Sequence, residues 1–534
     1  MTTKLITLIF ILLLVNCSQS LRKSKSNTSP DLVFTSKGGL RGIVYDSHRV
    51  FYGIPFASAP VNELRWESPV EPKDWKHIRD ATHQKPQCAQ RCSLGDGACS
   101  EVGTSEDCLY LDVFTPRNAN SNSKLPVIVF FPGGGFVVGS GSVKLYDATK
   151  FANSSVIFVN TNYRLGVLGF LGTDLMSGNY GFLDQIKALE WVNKNIEAFG
   201  GDKTKVTIFG ESAGSLSVAT HMVSPYSKPY FHAAILSSTP FSTGLKDKSK
   251  ARGYATRFAN FINCNVEDIT CLRSKSMEEI LDAQAKVRMQ VGEKVLDTFT
   301  IWAPIVDGDI IPKQPLTAAK DGEVHNVPTI IGNVYDEGII FVYLTHPNKI
   351  NPRLYPKYLS LMFPLTWSQI ITKYPASGKD ARPALSRVIN DYLFRCPDRY
   401  FLNKLVKSSK HKEPVYHYFY SHIKSSGHPL EHCDGRVCHG TELSVFFNSY
   451  EAMGEELTQY EREMAVSINN YFVNFAKTHN PSEGLKVPID WSPVSKSQNV
   501  TLVIDDGFEL DHDKITNDPK CDMFDRLSYG GYTK

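Results

Sequence analysis

The sequence predicts an α/β fold, with a large central, mostly parallel sheet flanked by helices. Three observations carry that prediction. From Leu125 onward, short unbroken apolar runs alternate with amphipathic segments, the pattern of strands buried on both faces by crossover helices. Glycines punctuate the ends of several runs. The composition, 42% hydrophobic and 21% charged over 534 residues, is that of a globular chain long enough to bury such a sheet.

The elements follow in order. PVIVFF (126–131) is a β-rich run ended by Gly133, Gly134 and Gly135, and VIFVN (156–160) is a second strand. DQIKALEWVNKNIEAF (184–199) has helical apolar spacing, with Asp184 in its first turn and Gly200 just past its end. VTIF (206–209) is a third strand, and SLSVATHMV after Ser212 is a helix. VPTIIGN (327–333) and PVYHYFY (414–420) complete the set of core strands. Residues 31–120 read as a small N-terminal antiparallel sheet and 340–400 as a helical insertion. No repeat, heptad pattern or Pro/Gly linker divides the chain, so 21–534 reads as one domain.

The N-terminus reads as an address. Lys4 precedes LITLIFILLLV (5–15), too short to span a bilayer, and Ser18-Gln19-Ser20 suits a signal peptidase. The expectation is a signal peptide over 1–20, cleaved near Ser20, and a secreted protein without a membrane anchor. Cys17 lies in that segment. The other ten cysteines, an even number in a secretory chain, favour five disulfides. Asn27, Asn153 and Asn499 head glycosylation sequons. A net charge of +3 with scattered Lys and Arg argues against a nucleic-acid partner. Nothing in the chain specifies an oligomeric state.

Within FGGDKTKVTIFGESAG (199–214), Ser212 stands between a strand and a helix, with Gly210 and Gly214 two residues to either side. Such a turn is a nucleophile elbow, so sharp that side chains at the flanking positions would collide. A serine hydroxyl needs a base and a place for the negative charge that develops on the carbonyl oxygen. PGGGF (132–136) offers the second: the N–H groups of Gly134 and Gly135, with that of Ala213, form a three-donor oxyanion hole. As a nucleotide loop it lacks both the Gly-Lys-Ser/Thr ending and the G-x-G-x-x-G spacing. The α/β-hydrolase order of nucleophile, acid and histidine points to His439 in CHGTELSVFF as the base. Asp336 and Glu337, beyond the strand VPTIIGN, are both placed to be the acid.

These segments carry a family likeness. FGGDKTKVTIFGESAG and EDCLYLDVF (106–114) resemble the two signatures of the type-B carboxylesterase and cholinesterase family. NYRLGVLGF (162–170), GNYGFLDQ (178–185), APIVDG (303–308) and HGTEL (439–443) resemble its other landmarks, and the likeness runs from about Phe34 to Phe524. It implies the α/β-hydrolase fold and a serine esterase that acts on small-molecule esters without a cofactor. It also implies Ser212 as nucleophile, Glu337 rather than Asp336 as acid, His439 as base, and Gly134, Gly135 and Ala213 as oxyanion donors. Glu211 matches an acidic residue near the family's base. The family's loop disulfides imply Cys88 with Cys108, Cys264 with Cys271, and Cys396 with Cys521; two additional pairs are assigned as Cys92 with Cys99 and Cys433 with Cys438. A zinc site from His428, His432, Cys433, Cys438 and His439 is disfavoured, because adjacent thiols oxidise in a secretory chain; no metal is expected.

The chain departs from the family at three places. Pro132 stands where His or Tyr commonly precedes the three glycines, and Pro carries no N–H, although the donors lie downstream. GDGACSEVG (95–103) lacks the tryptophan with which cholinesterases bind quaternary ammonium, which argues against choline specificity. The positions that narrow the cholinesterase acyl pocket fall near Thr298 and Thr300, beside Phe299 and Trp302, an alignment that leaves room for larger acyl groups. The rival reading is a non-catalytic adhesion or structural member of the family.

Overall fold

A computed structural model describes residues 29–95, 97–291, 300–428, 430–512 and 517–531. The expected signal peptide, Asn27, Thr298 and Phe299 lie outside the described residues. Among the described residues no helix is long and apolar enough to cross a membrane.

Among the described residues, eleven strands form the central sheet: β1 (Ile43–Val44), β2 (His48–Pro55), β3 (Tyr110–Pro116), β4 (Leu125–Phe131), β5 (Ile157–Thr161), β6 (Gly201–Glu211), β7 (Ala233–Ser237), β8 (Thr329–Val334), β9 (Val415–Tyr420), β10 (Val500–Ile504) and β11 (Phe508–His512). Their spatial order is β1-β2-β3-β5-β4-β6-β7-β8-β9-β10-β11. From β5 to β10 every pairing is parallel, and both edges are antiparallel. This is the α/β-hydrolase arrangement that the sequence predicts. In β4, Val127, Val129 and Phe131 enter one apolar core while Ile128 and Phe130 enter the other. Burial on both faces is why these strands read as unbroken apolar runs rather than alternating ones.

The N-terminal expectation needs correction. Leu32–Thr35, Gly38–Arg41 and Arg79–Asp80 do form a separate small sheet, but its second pairing is parallel. Of the rest of the predicted small sheet, β1, β2 and β3 are the antiparallel edge of the central sheet, and Gln87–Cys88 pairs in parallel with Thr104–Ser105 by itself. The cause is visible in β3, where six of seven residues are buried, a pattern no two-sided solvent-facing sheet accommodates.

The predicted helix begins earlier than its apolar spacing suggests. It spans Tyr180–Asn195 (α1), continues as a 3-10 turn to Phe199, and ends at left-handed Gly200. Asp184 therefore sits in the second turn, fully buried, in a two-pronged pair with Arg164 (Nε to Oδ2 2.8 Å, Nη2 to Oδ1 2.7 Å). Two family landmarks are thus joined by one buried ion pair.

All five assigned disulfides are present, from Cys433–Cys438, five residues apart, to Cys396–Cys521, 125 apart. Between β8 and β9 the chain is mostly helical, from Gly338–Thr345 through Cys396–Lys407, as the expected insertion. Parallel strands bring all their C-terminal ends to one edge of the sheet. The loops after β4, β6 and β8, which hold the glycine run, Ser212 and Glu337, therefore share that edge.

Candidate active site

Ser212 is the single residue between β6 and the helix α2 (Ala213–His221). Its backbone is held at φ 57°, ψ −123°, a conformation that non-glycine residues rarely adopt. Its own N–H donates to Ser237 O at 3.0 Å, and its carbonyl accepts from Leu216 N at 2.9 Å, so strand and helix hold the turn from both sides. A Cβ added at Gly210 would lie 2.2 Å from Gly214 O, and one at Gly214 would lie 2.0 Å from Phe131 O. The two glycines are required by backbone-to-backbone contact.

The glycine loop presses on the same turn. A Cβ at Gly133 would stand 2.6 Å from Glu211 Oε2 and 3.0 Å from Ser212 Cβ. Gly134 and Gly135 have φ of 112° and 61°, and Gly134 O accepts from both Val137 N and Val138 N at 3.1 Å. Pro132 is anchored through its carbonyl, which accepts from Tyr163 OH at 2.7 Å. Ala213 is the first residue of α2, where an N–H has no intrahelical acceptor and faces the positive end of the helix dipole.

Glu337 and His439 meet across the loops. Glu337 Oε2 lies 2.5 Å from His439 Nδ1, while Oε1 accepts from Val334 N at 3.0 Å. A carboxylate can only accept, so this contact assigns the proton to Nδ1 and leaves the lone pair on Nε2. Asp336 turns away: its N–H donates to Val437 O at 2.9 Å and its carboxylate faces Val437 N. Phe341 and Phe394 flank the imidazole at centroid distances of 5.0 and 4.9 Å, and Cys433–Cys438 ends at the residue before it.

His439 Nε2 lies 3.0 Å from Glu211 Oε1, but neither atom makes an aligned hydrogen bond among the described residues. No hydrogen bond joins Ser212 Oγ to His439 there either; Glu211, the chain neighbour of Ser212, is what stands against the imidazole. Burial and the nearby Glu337 charge push the Glu211 carboxyl up to about 7, with His439 pulling the other way. Burial alone would lower His439, yet the carboxylates of Glu211 and Glu337 outweigh it and raise the imidazole to about 9.

Glu442 is a member of this cluster to which the sequence reading gave no role. It is fully buried, accepts from Ser237 Oγ at 3.2 Å, and Ser237 Oγ in turn accepts from Tyr418 OH at 2.7 Å. Burial and repulsion from Glu211 and Glu337 push it up to about 8. Its place three residues after His439 in HGTEL was visible, but nothing local says that a glutamate there faces inward.

The other predicted positions are scattered. Thr300 is buried and receives a hydrogen bond from Lys246 Nζ at 3.0 Å, and Trp302 packs edge-on with Phe258 in the core. The disfavoured zinc set is consumed: its thiols form the disulfide, and His432 stacks on Tyr343. Asn153 is exposed and Asn499 half-buried.

A sequence profile described as "Carboxylesterase family" matches residues 29–524. The "cAMP-regulated D2 protein" of Dictyostelium discoideum is 58% identical over 532 residues, covering 99% of each chain. The "Crystal protein" of the same organism is 54% identical, covering 99% of this chain and 98% of that one. Among solved structures, a PNB esterase superposes with a TM-score of 0.81 at 29% identity, covering 93% of this chain and 99% of its own.

Proposed function

The chain belongs to the carboxylesterase family, and on that premise we propose that it is a secreted serine esterase that works through an acyl-enzyme on Ser212. Ser212 Oγ attacks the ester carbonyl, and His439 Nε2 takes its proton. Glu337 fixes the imidazole through Nδ1 and stabilises its charged form. The N–H groups of Gly134, Gly135 and Ala213 receive the oxyanion; the protonated His439 then gives its proton to the leaving alcohol. Water, activated by the same nitrogen, releases the acid. All these groups belong to the one domain of 21–534, and the reaction so written uses protein groups alone.

The observation that supports this reading is the contact of Glu337 with His439 Nδ1, which leaves Nε2 free of Glu337 and 3.0 Å from the carboxylate of Glu211, the residue before Ser212. Secretion draws its support from the apolar N-terminal run and the five disulfides. Esters other than choline esters are favoured by the lack of an aromatic in 95–103.

The second reading, a family member that does not turn over substrate, draws on the two Dictyostelium relatives, whose names state no reaction. Hydrolysis of p-nitrophenyl butyrate by the wild type and by Ser212→Ala separates the two. The esterase reading expects kcat to fall by at least about 1000-fold in the variant; equal rates refute it.

A further inference from the structure

A surface helix of a water-soluble domain turns an apolar face to the core and a polar face to solvent. The helices between β8 and β9 depart from that rule. In α3 (Gly338–Thr345), α4 (Tyr355–Met362) and α5 (Trp367–Lys373), the inward set includes Val342, Tyr355, Leu359 and Ile370, all buried. A second apolar set points outward. Leu344 is 61% exposed, Leu354 49%, Leu361 60% and Leu365, in the turn between α4 and α5, 95%. Six leucines are exposed among the described residues, and four of them fall between 344 and 365, a concentration that marks an interaction surface. They are joined in space. Leu354, Tyr358 and Leu361 follow one another at helical spacing, and Tyr358 meets His346, at the end of α3, edge-on with centroids 5.0 Å apart.

The charge of this segment is one-sided. Residues 338–379 carry Lys349, Arg353, Lys357, Lys373 and Lys379 and no Asp or Glu, more positive charge than the net +3 of the whole chain. All five are exposed, and none joins an ion pair among the described residues. Cations elsewhere on the surface are matched, as Lys313 is by Asp321 and Glu323 at 2.8 and 2.6 Å. The carboxylates on the elements packed against the segment are mostly taken: Asp380 by Arg382, Asp518 by Arg395, and Asp522 and Asp525 by Arg399. Glu431 is the exception.

Exposed leucines among unmatched cations are the composition of a surface that lies on a lipid boundary, where hydrocarbon takes the leucines and anionic headgroups the charges. A protein partner fits less well. Four of the five cations are lysines, the residue that protein–protein interfaces exclude, and lysine stems reach outward from an apolar layer to headgroups.

We infer that the helical insertion docks peripherally on an anionic phospholipid surface, with Leu361 and Leu365 entering the headgroup layer and Lys349, Arg353, Lys357 and Lys373 facing the phosphates. The docked face adjoins the catalytic loops, because α3 begins at the residue after Glu337 and its Phe341 flanks the His439 ring. The binding itself needs neither Ser212 nor Glu337.

Flotation of the Ser212→Ala protein with vesicles tests this without esterase activity. One set is phosphatidylcholine alone, and the other is equal parts phosphatidylcholine and phosphatidylserine. The expected result is saturable binding to the second set only, weakened by added salt. Lys349→Ala/Lys357→Ala/Lys373→Ala weakens it about 100-fold, and Leu361→Ser/Leu365→Ser at least about tenfold. All five positions are exposed, so unfolding midpoints stay at the parent value. Lys410→Ala/Lys412→Ala, before the N-terminal end of β9 and so at the opposite edge of the sheet, leaves binding unchanged. No binding to the anionic vesicles would overturn the proposal. So would leucine variants that bind like the parent, which would reduce the surface to a charge attractor, or a stable dimer that the leucine variant dissociates, which would assign the patch to a second copy.

Discussion

The two halves of the candidate site are made of different material. Around Ser212 the geometry is set by backbone against backbone: β6 and α2 hold the turn, and the nearest neighbours of the missing side chains at Gly210 and Gly214 are carbonyl oxygens. Around His439 it is set by buried ionisable side chains: Glu211 at the end of β6, Glu337 in the turn after β8, and Glu442 on the segment that carries His439 itself. The first half resists any added atom, whereas the second responds to charge. One is a steric device and the other an electrostatic one.

Substitutions can break that contrast. Gly214→Ala drives a methyl group to within 2.0 Å of the Phe131 carbonyl, so the turn must shift. The expected outcome is the largest of the series: activity lost together with about 3 kcal/mol of stability, read by denaturant unfolding. A variant that folded and reacted like wild type would show that the elbow is not sterically locked.

Glu337→Gln keeps the shape and removes the charge. It is expected to leave the unfolding midpoint nearly unchanged while kcat falls by about 10,000-fold, as the imidazole loses both its tautomer and its counter-charge. A loss of folding instead would place this side with the steric half.

Glu211→Gln has the smallest expected effect and the most specific. His439 is raised by the Glu211 and Glu337 carboxylates, and it accepts a proton only when neutral. Removing one negative charge lowers the folded pKa of the imidazole, so the neutral form persists to lower pH. The acidic limb of the kcat/KM profile therefore moves to lower pH by about one unit, measured with p-nitrophenyl butyrate. A limb that stays in place would remove Glu211 from the electrostatics of the base.

The same contrast explains what was legible in the sequence. Backbone contacts demand glycine, so Gly210, Gly214 and the run Gly133 to Gly135 mark the Ser212 half in the text. The strands of the parallel heart were legible too, because burial on both faces writes a continuous apolar run. Side-chain contacts write nothing so local. From the residues alone Asp336 and Glu337 were equivalent, and the family likeness chose Glu337; only the Asp336–Val437 backbone link shows why Asp336 turns away. Glu442 and the flanking Phe341 and Phe394 carried no signal, since their positions depend on how distant loops fold together. The absorption of β1 to β3 into the central sheet was missed for a similar reason: strand partners are a tertiary property, and burial pattern alone separates an edge of a large sheet from a small independent one.

The central claim is that Ser212 is an activated nucleophile. A fluorophosphonate ester, incubated with the folded protein and followed by peptide mass spectrometry, tests it most directly. The account predicts one adduct on the peptide that contains Gly210 to Gly214, at Ser212, absent in Glu337→Gln over the same incubation. A folded wild-type protein that takes up no label at Ser212 would contradict it.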